Sequence, residues 1–193
     1  MRHADDFYIT PDFTIELWLA AVPGAYLGRE VLDPCAGAGA ILRACRSRGV
    51  AARGIELHEG RAAEAGCACG DGLGADWRNR DVVMNPPYRS ALAWVQKGVE
   101  ESRSCAALLR LSFLGSRSRA EFLQQNPPRF IVHVSPRPSF VPGGGTDASE
   151  YAWLGWGDLP GAPAAGLTRH VWPVAVAAPV AVADSGEGVY PQS

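Results

Sequence analysis

Three short segments hold the residue types from which binding and chemistry can be built. Asp33-Pro34-Cys35-Ala36-Gly37-Ala38-Gly39 is a Gly-rich turn, and such a turn lets backbone approach a ligand closely because glycine has no side chain to hold it off. Glu56 follows 23 residues beyond Asp33, in Gly54-Ile55-Glu56-Leu57. An acid about twenty positions past a Gly turn is placed to accept hydrogen bonds from ribose hydroxyls. Together these two segments point to a ligand that contains a nucleoside. The third segment, Asp81-Val82-Val83-Met84-Asn85-Pro86-Pro87-Tyr88, is an apolar run that ends in an amide, two prolines and a phenol ring. Prolines fix φ and bring no competing N–H, so the Pro86 carbonyl is held rigidly beside the Asn85 amide oxygen, and both accept hydrogen bonds.

Apolar spacing shows which elements must position these segments. Residues 31–34 form a short apolar run, and Ile41, Leu42 and Cys45 fall at helical spacing, so the Gly turn joins a strand to a helix. The alternation repeats as a strand over 52–57, a helix over 58–65, a short strand over 67–70 and a strand over 81–84. Such alternation with short connections predicts a parallel sheet. Beyond it the pattern predicts a helix over 90–101, an apolar run over 105–114, a helix over 117–125 and a strand over 130–135. Residues 136–145, rich in Pro and Gly, read as a loop, 151–156 as a strand and 171–176 as a further one. Trp18, Trp153 and Trp156 are assigned to the core. One domain is expected over 1–178, with a small target-contacting region at 137–170 and a poorly anchored tail at 179–193.

Composition narrows the class. The chain has 193 residues, 47% hydrophobic and 20% charged, with a formal net charge of -2, which suits one globular domain. No run nears the roughly eighteen apolar residues of a membrane helix, and the first six residues lack the core of a signal peptide, so a cytoplasmic protein is expected. Five cysteines without C-x-x-C spacing and four scattered histidines argue against a disulfide framework and against a metal site. Residues 89–137 carry 8 basic and 3 acidic side chains, against 9 and 12 before them and 1 and 5 after. A localised basic face attracts a polyanion even when the total charge does not.

With Asn85-Pro86-Pro87-Tyr88 in place, residues 8–156 resemble the class I S-adenosylmethionine-dependent methyltransferases, in particular the amino-methylating group that carries N-P-P-Y. In that resemblance Asp33, Pro34, Cys35, Ala36, Gly37 and Gly39 belong to the first cofactor motif. Glu56 and Leu57 belong to the second, Asp71-Gly72 supplies the acid that meets the cofactor's adenine, with Asp76 as the alternative, and Asn85 opens the catalytic motif. Phe7-Tyr8-Ile9-Thr10-Pro11 is similar to the segment that closes over the methionine end of the cofactor, which adds Tyr8, Thr10 and Pro11. That segment's place before the Gly turn, and a gap of only 13 residues between Asp71 and Asn85, match the order of the gamma-type DNA adenine methyltransferases, of which small phage-encoded members have this compact form. The resemblance implies a Rossmann-like, doubly wound α/β sheet of seven mostly parallel strands with the last antiparallel. It also implies S-adenosyl-L-methionine as cofactor and N6 of adenine in double-stranded DNA as methyl acceptor, with a partner endonuclease left open.

The chemistry explains why such a group wants this motif. An exocyclic amine is a poor nucleophile because its lone pair is delocalised into the ring. Two acceptors, Asn85 and Pro86, draw the nitrogen toward tetrahedral geometry and then stabilise the charge it gains. A paired base must first leave the duplex stack. Tyr88 and Phe140, the latter just past the sixth strand, are expected as the two sides of a base sandwich. Arg89 and Arg137 flank these segments and are the expected phosphate contacts, ahead of the arginines at 103, 110, 117, 119 and 129. Only about 50 residues follow Phe140, so relaxed specificity is expected, in a monomer or a homodimer. N-P-P-Y also serves ribosomal RNA amino-methylases and the glutamine methylases of release factors, which makes RNA or protein the alternative substrate. A catalytically silent methyltransferase-like nucleic-acid-binding module is the rival from another class.

Overall fold

In the computed structural model, residues 9–140, 145 and 147–172 are described, so Tyr8 and the 179–193 tail lie outside the described residues. The first helix, α1 (Asp12–Ala21), precedes β1 (Glu30–Asp33), and the Gly turn leads from β1 into α2 (Ala40–Ser47). Then follow β2 (Ala51–Glu56), α3 (Glu59–Ala65), the two-residue β3 (Ala68–Cys69), β4 (Asp81–Met84) and α4 (Ala91–Glu101). After β5 (Ser104–Arg110) come α5 (Ala120–Gln125), β6 (Phe130–His133), β7 (Tyr151–Gly157) and β8 (Arg169–Val171).

The strands form one sheet in the order β3-β2-β1-β4-β5-β7-β6-β8. The first five are mutually parallel, with Leu32 opposite both Arg53 and Val82, so Asp33, Glu56 and Met84 all end at the same edge. From β1 the chain winds outward through β2 and β3, then returns to start again at β4. The β1/β4 junction is therefore the switch point beyond which an open α/β sheet binds its ligand.

The sheet has eight strands rather than the seven expected. β7 is antiparallel to both neighbours, as expected of a seventh strand, but the last strand among the described residues, β8, runs parallel to β6. The Arg169 amide bonds to the Arg129 carbonyl and the Thr168 hydroxyl to the Pro128 carbonyl, which fastens the segment along β6 and starts the strand two residues ahead of 171–176. Pairing covers an edge that would otherwise expose open backbone groups. The span 137–170 contains β7, whose residues Tyr151 to Trp156 are buried between β5 and β6. The apolar run 105–114 divides into β5 and a 3-10 turn at Leu111–Phe113, and the helix over 117–125 opens with another at Arg117–Arg119.

Each face of the sheet carries a core. Trp18, Ile15 and Ile41 pack with Val31, Val83 and Trp153 on one side, and Trp94, Val95 and Trp77 pack with Met84, Leu109 and Trp156 on the other. The three tryptophans assigned to the core are buried, and each indole N–H is satisfied: Trp18 on Tyr26, Trp153 on the Thr14 carbonyl, Trp156 on the Asn126 carbonyl. At the far edge the buried Asp81 carboxylate accepts from Ser104 and pairs with Arg103 and Arg29, which pins β4 and β5 together. Among the described residues no helix is long and apolar enough to cross a membrane.

Candidate active site

The Gly turn shapes the floor. Gly37 and Gly39 adopt φ of 53° and 75°, left-handed values that favour glycine, and Gly39 stands at the N-cap of α2. Their conformation turns the Gly37 N–H toward Glu56, whose Oε2 accepts it at 2.9 Å. Glu56 Oε1 accepts from the His58 amide at 3.1 Å and from Arg61 Nε at 3.0 Å. The acid at the end of β2 is thus held against the turn after β1. Arg61, five residues on and one turn into α3, is a site residue that the motif reading missed.

A cavity of about 130 Å³ opens here, at the β1/β4 junction. Its walls bring together eleven of the anticipated residues: Thr10, Pro34, Cys35, Ala36, Gly37, Glu56, Leu57, Asp71, Gly72, Asn85 and Pro87. Ala38, Ala40, His58, Arg61 and Trp94 complete it. Trp94 follows Ser90 by one helical turn and donates its N–H to the Ser90 hydroxyl, a local spacing in which the signal was present. Asp33 lies buried behind the wall, where its Oδ1 accepts the Cys35 amide at 3.2 Å. Gly39 sits behind the turn and Pro11 caps α1. Asp76 lies outside the cavity, exposed and paired with Arg78. Leu57 is 66% exposed and forms an apolar lip on the opening. Gly72 crosses the Pro34 backbone so closely that a Cβ would stand 1.8 Å from the Pro34 carbonyl oxygen.

Burial governs the electrostatics. It pushes the Asp33 carboxyl up from 3.8 to about 7, with the Cys35 backbone N–H and thiol opposing the shift and the Glu56 charge adding to it. Burial, then the Asp33 and Glu56 charges, raise the Cys35 thiol well above its usual range, so it lines the wall as a neutral thiol.

At the mouth, Asn85 is gripped from both ends. Its Nδ2 donates to Thr10 Oγ1 at 3.0 Å, and its Oδ1 accepts from the Tyr88 hydroxyl at 2.9 Å. Pro86 is buried behind it. The Tyr88 ring meets Phe140 at 6.3 Å between centroids with a 77° interplanar angle, and Phe140 packs on Tyr151 at 4.8 Å. The two expected sandwich rings therefore touch edge to face, with Phe140 buried, and do not form parallel walls of a slot. Arg89 and Arg137 are exposed at the two segments they flank, and Arg137 donates to the Ala148 carbonyl. Among the described residues no group of three His, Cys, Asp or Glu side chains is arranged to hold a metal.

Comparison with protein-family profiles and with curated proteins returns no match. Solved structures do match. A provisionally assigned class I S-adenosylmethionine-dependent methyltransferase from Listeria monocytogenes superposes with a TM-score of 0.59 at 14% identity, over 84% of this chain and 65% of that one. A provisionally assigned RNA methyltransferase from Pyrococcus horikoshii gives 0.60 at 17%, over 78% and 86%. The M protein of the type I restriction enzyme EcoKI gives 0.57 at 18%, over 79% and 44%. The chain thus spans about two thirds of the first of these structures and under half of the third. The mostly parallel sheet with its antiparallel strand, together with these superpositions, gives this chain the Rossmann-like α/β fold of the class I methyltransferases.

Proposed function

We propose that the protein is an S-adenosyl-L-methionine-dependent methyltransferase that modifies the N6 amine of adenine in double-stranded DNA, with the base flipped out of the helix. The observation that carries this reading is the place of Asn85. Its amide lines the acid-walled cavity and at the same time bonds to Tyr88, the aromatic ring on the other side of the segment. A substrate amine held there lies at the border of the cofactor cavity.

The residues present suit that cofactor. Glu56 Oε2 has one partner and keeps a lone pair for a ribose hydroxyl. Leu57 offers an apolar surface to a flat base, with Asp71 beside it to accept from an amino group. The acids Asp33 and Glu56 favour a ligand that carries positive charge. When bound, the cofactor supplies an electrophilic methyl group on a sulfonium.

Asn85 and Pro86 do the positioning. Thr10 anchors the Asn85 amide by accepting from Nδ2. Oδ1, which accepts from the Tyr88 hydroxyl, is the oxygen that faces an amine hydrogen in this reading. The Pro86 carbonyl takes the other amine hydrogen. The nitrogen lone pair is then freed from the ring and directed at the cavity, and both oxygens stabilise the positive charge that develops. Tyr88 supplies its face to the flipped base, and Phe140 and Tyr151 brace the ring from behind.

RNA is the second reading, because this chain covers 86% of the provisionally assigned RNA methyltransferase, against 44% of the EcoKI M protein. Labelled methyl transfer to duplex DNA, ribosomal RNA and a release factor separates the readings. Label in DNA, absent with Asn85→Ala, is the expected result. Label confined to RNA or protein rejects DNA as substrate, and failure to bind S-adenosylmethionine by calorimetry rejects the enzyme.

A further inference from the structure

The segment Asn85 to Tyr88 has a cavity on each side. The second, of about 150 Å³, shares no lining residue with the first and is walled by Tyr88, Leu109, Arg110, Ser112, Phe113 and Arg119. Two guanidinium groups converge on this one small space. Arg110 lies 5.3 Å over the Tyr88 ring, donates through Nε to the Tyr151 hydroxyl at 3.0 Å, and has Asp147 at 3.7 Å as counter-charge. Arg119 rests 4.6 Å over the Phe113 ring, and among the described residues no carboxylate pairs with it. The surplus charge of the cavity is therefore the Arg119 charge.

Stacking on Phe113 covers one face of the Arg119 guanidinium and leaves its N–H edge for an acceptor. A planar fork of donors beside a serine hydroxyl suits an oxyanion, and a phosphodiester supplies two such oxygens. The wall shared with Tyr88 narrows the choice further. A base stacked on Tyr88 is tethered through one sugar to its own flanking phosphates, so one of them must pass close to this cavity.

We propose that the cavity is a phosphodiester subsite in which Arg119, supported by Arg110, holds a backbone phosphate next to the base that stacks on Tyr88. The inference rests on the nucleic-acid reading above and identifies the group that reads the backbone. Such a contact anchors the strand without selecting sequence.

The test is equilibrium binding of fluorescent duplex DNA by the full chain across a salt series, for the wild type, Arg119→Gln, Arg119→Lys and the distant exposed Arg53→Gln. Arg119→Gln is expected to weaken binding on the order of 10-fold and to lower the slope of log affinity against log salt by about one unit. Arg119→Lys keeps the slope, which separates loss of charge from loss of fold, and Arg53→Gln leaves both quantities unchanged. A wild-type slope in Arg119→Gln overturns the subsite, as does an equal loss in Arg53→Gln, which would report net charge alone. A wild type that binds no nucleic acid at any salt overturns the nucleic-acid reading itself.

Discussion

Thr10 and Asn85, 75 residues apart, are joined by a 3.0 Å hydrogen bond from the asparagine Nδ2 to the threonine hydroxyl oxygen. That bond, with the Tyr88 hydroxyl on Oδ1, holds the amide at the border of the cavity. An Asn85→Ala variant loses both acceptor and anchor, and its turnover is expected to fall by at least 10²–10³-fold, the scale of one preorganised polar group. Thr10→Val removes only the anchor, worth about 1 kcal/mol, and should cost about fivefold. Single-turnover kinetics with cofactor affinity measured in parallel checks the pair. Loss of cofactor binding in step with turnover would break the division of roles.

The proposed reading gives Tyr88 two separable roles. Its ring offers a stacking face, and its hydroxyl bonds to Asn85 Oδ1 at 2.9 Å. Tyr88→Phe should keep KM for nucleic acid and lower kcat, whereas Tyr88→Ala should raise KM by the equivalent of about 1–3 kcal/mol of base stacking. Steady-state kinetics on one oligonucleotide distinguishes the two, and equal effects on KM would show that the ring makes no stack.

Asp33 makes a pH-dependent prediction. Its carboxyl is raised from 3.8 to about 7 by burial, so between roughly pH 4 and pH 7 the folded chain holds a proton that the unfolded chain has released. The stability so gained is complete below pH 4 and is lost as pH rises toward 7. Chemical denaturation of Asp33→Asn across this window should show a smaller decline with rising pH. A cationic ligand favours the ionised carboxylate, so wild-type affinity for S-adenosylmethionine should rise through pH 7, and calorimetry should show proton release that the variant lacks.

Gly72 tests the wall between the Gly turn and Asp71. A Cβ there would stand 1.8 Å from the Pro34 carbonyl oxygen, so Gly72→Ala must displace one of the two backbones and should abolish cofactor binding. Gly60, within α3, has nothing within 4 Å of such a Cβ, and Gly60→Ala should be neutral or stabilise by about 0.5–1 kcal/mol. Thermal melts with and without cofactor compare them, and a Gly72→Ala protein that binds normally would show that this crossing is free to relax.

The features legible in the residue order are those that depend on neighbours in the chain. The Gly turn after Asp33, the acid at the end of β2 and the amide at the end of β4 are strand-end signals, and a parallel sheet brings strand ends to one edge. That is why so many of the anticipated residues line one cavity. The remaining features depend on contacts between distant segments, which no local period encodes. The antiparallel entry of β7 between β5 and β6, the parallel eighth strand and the burial of Phe140 against Tyr151 arise from pairing and packing across the sheet. So do the Thr10 anchor on Asn85 and the grouping of Arg110 and Arg119 beside Tyr88. A side chain's type is written in the chain, but its partner is set by which surfaces the folded core brings within hydrogen-bond reach.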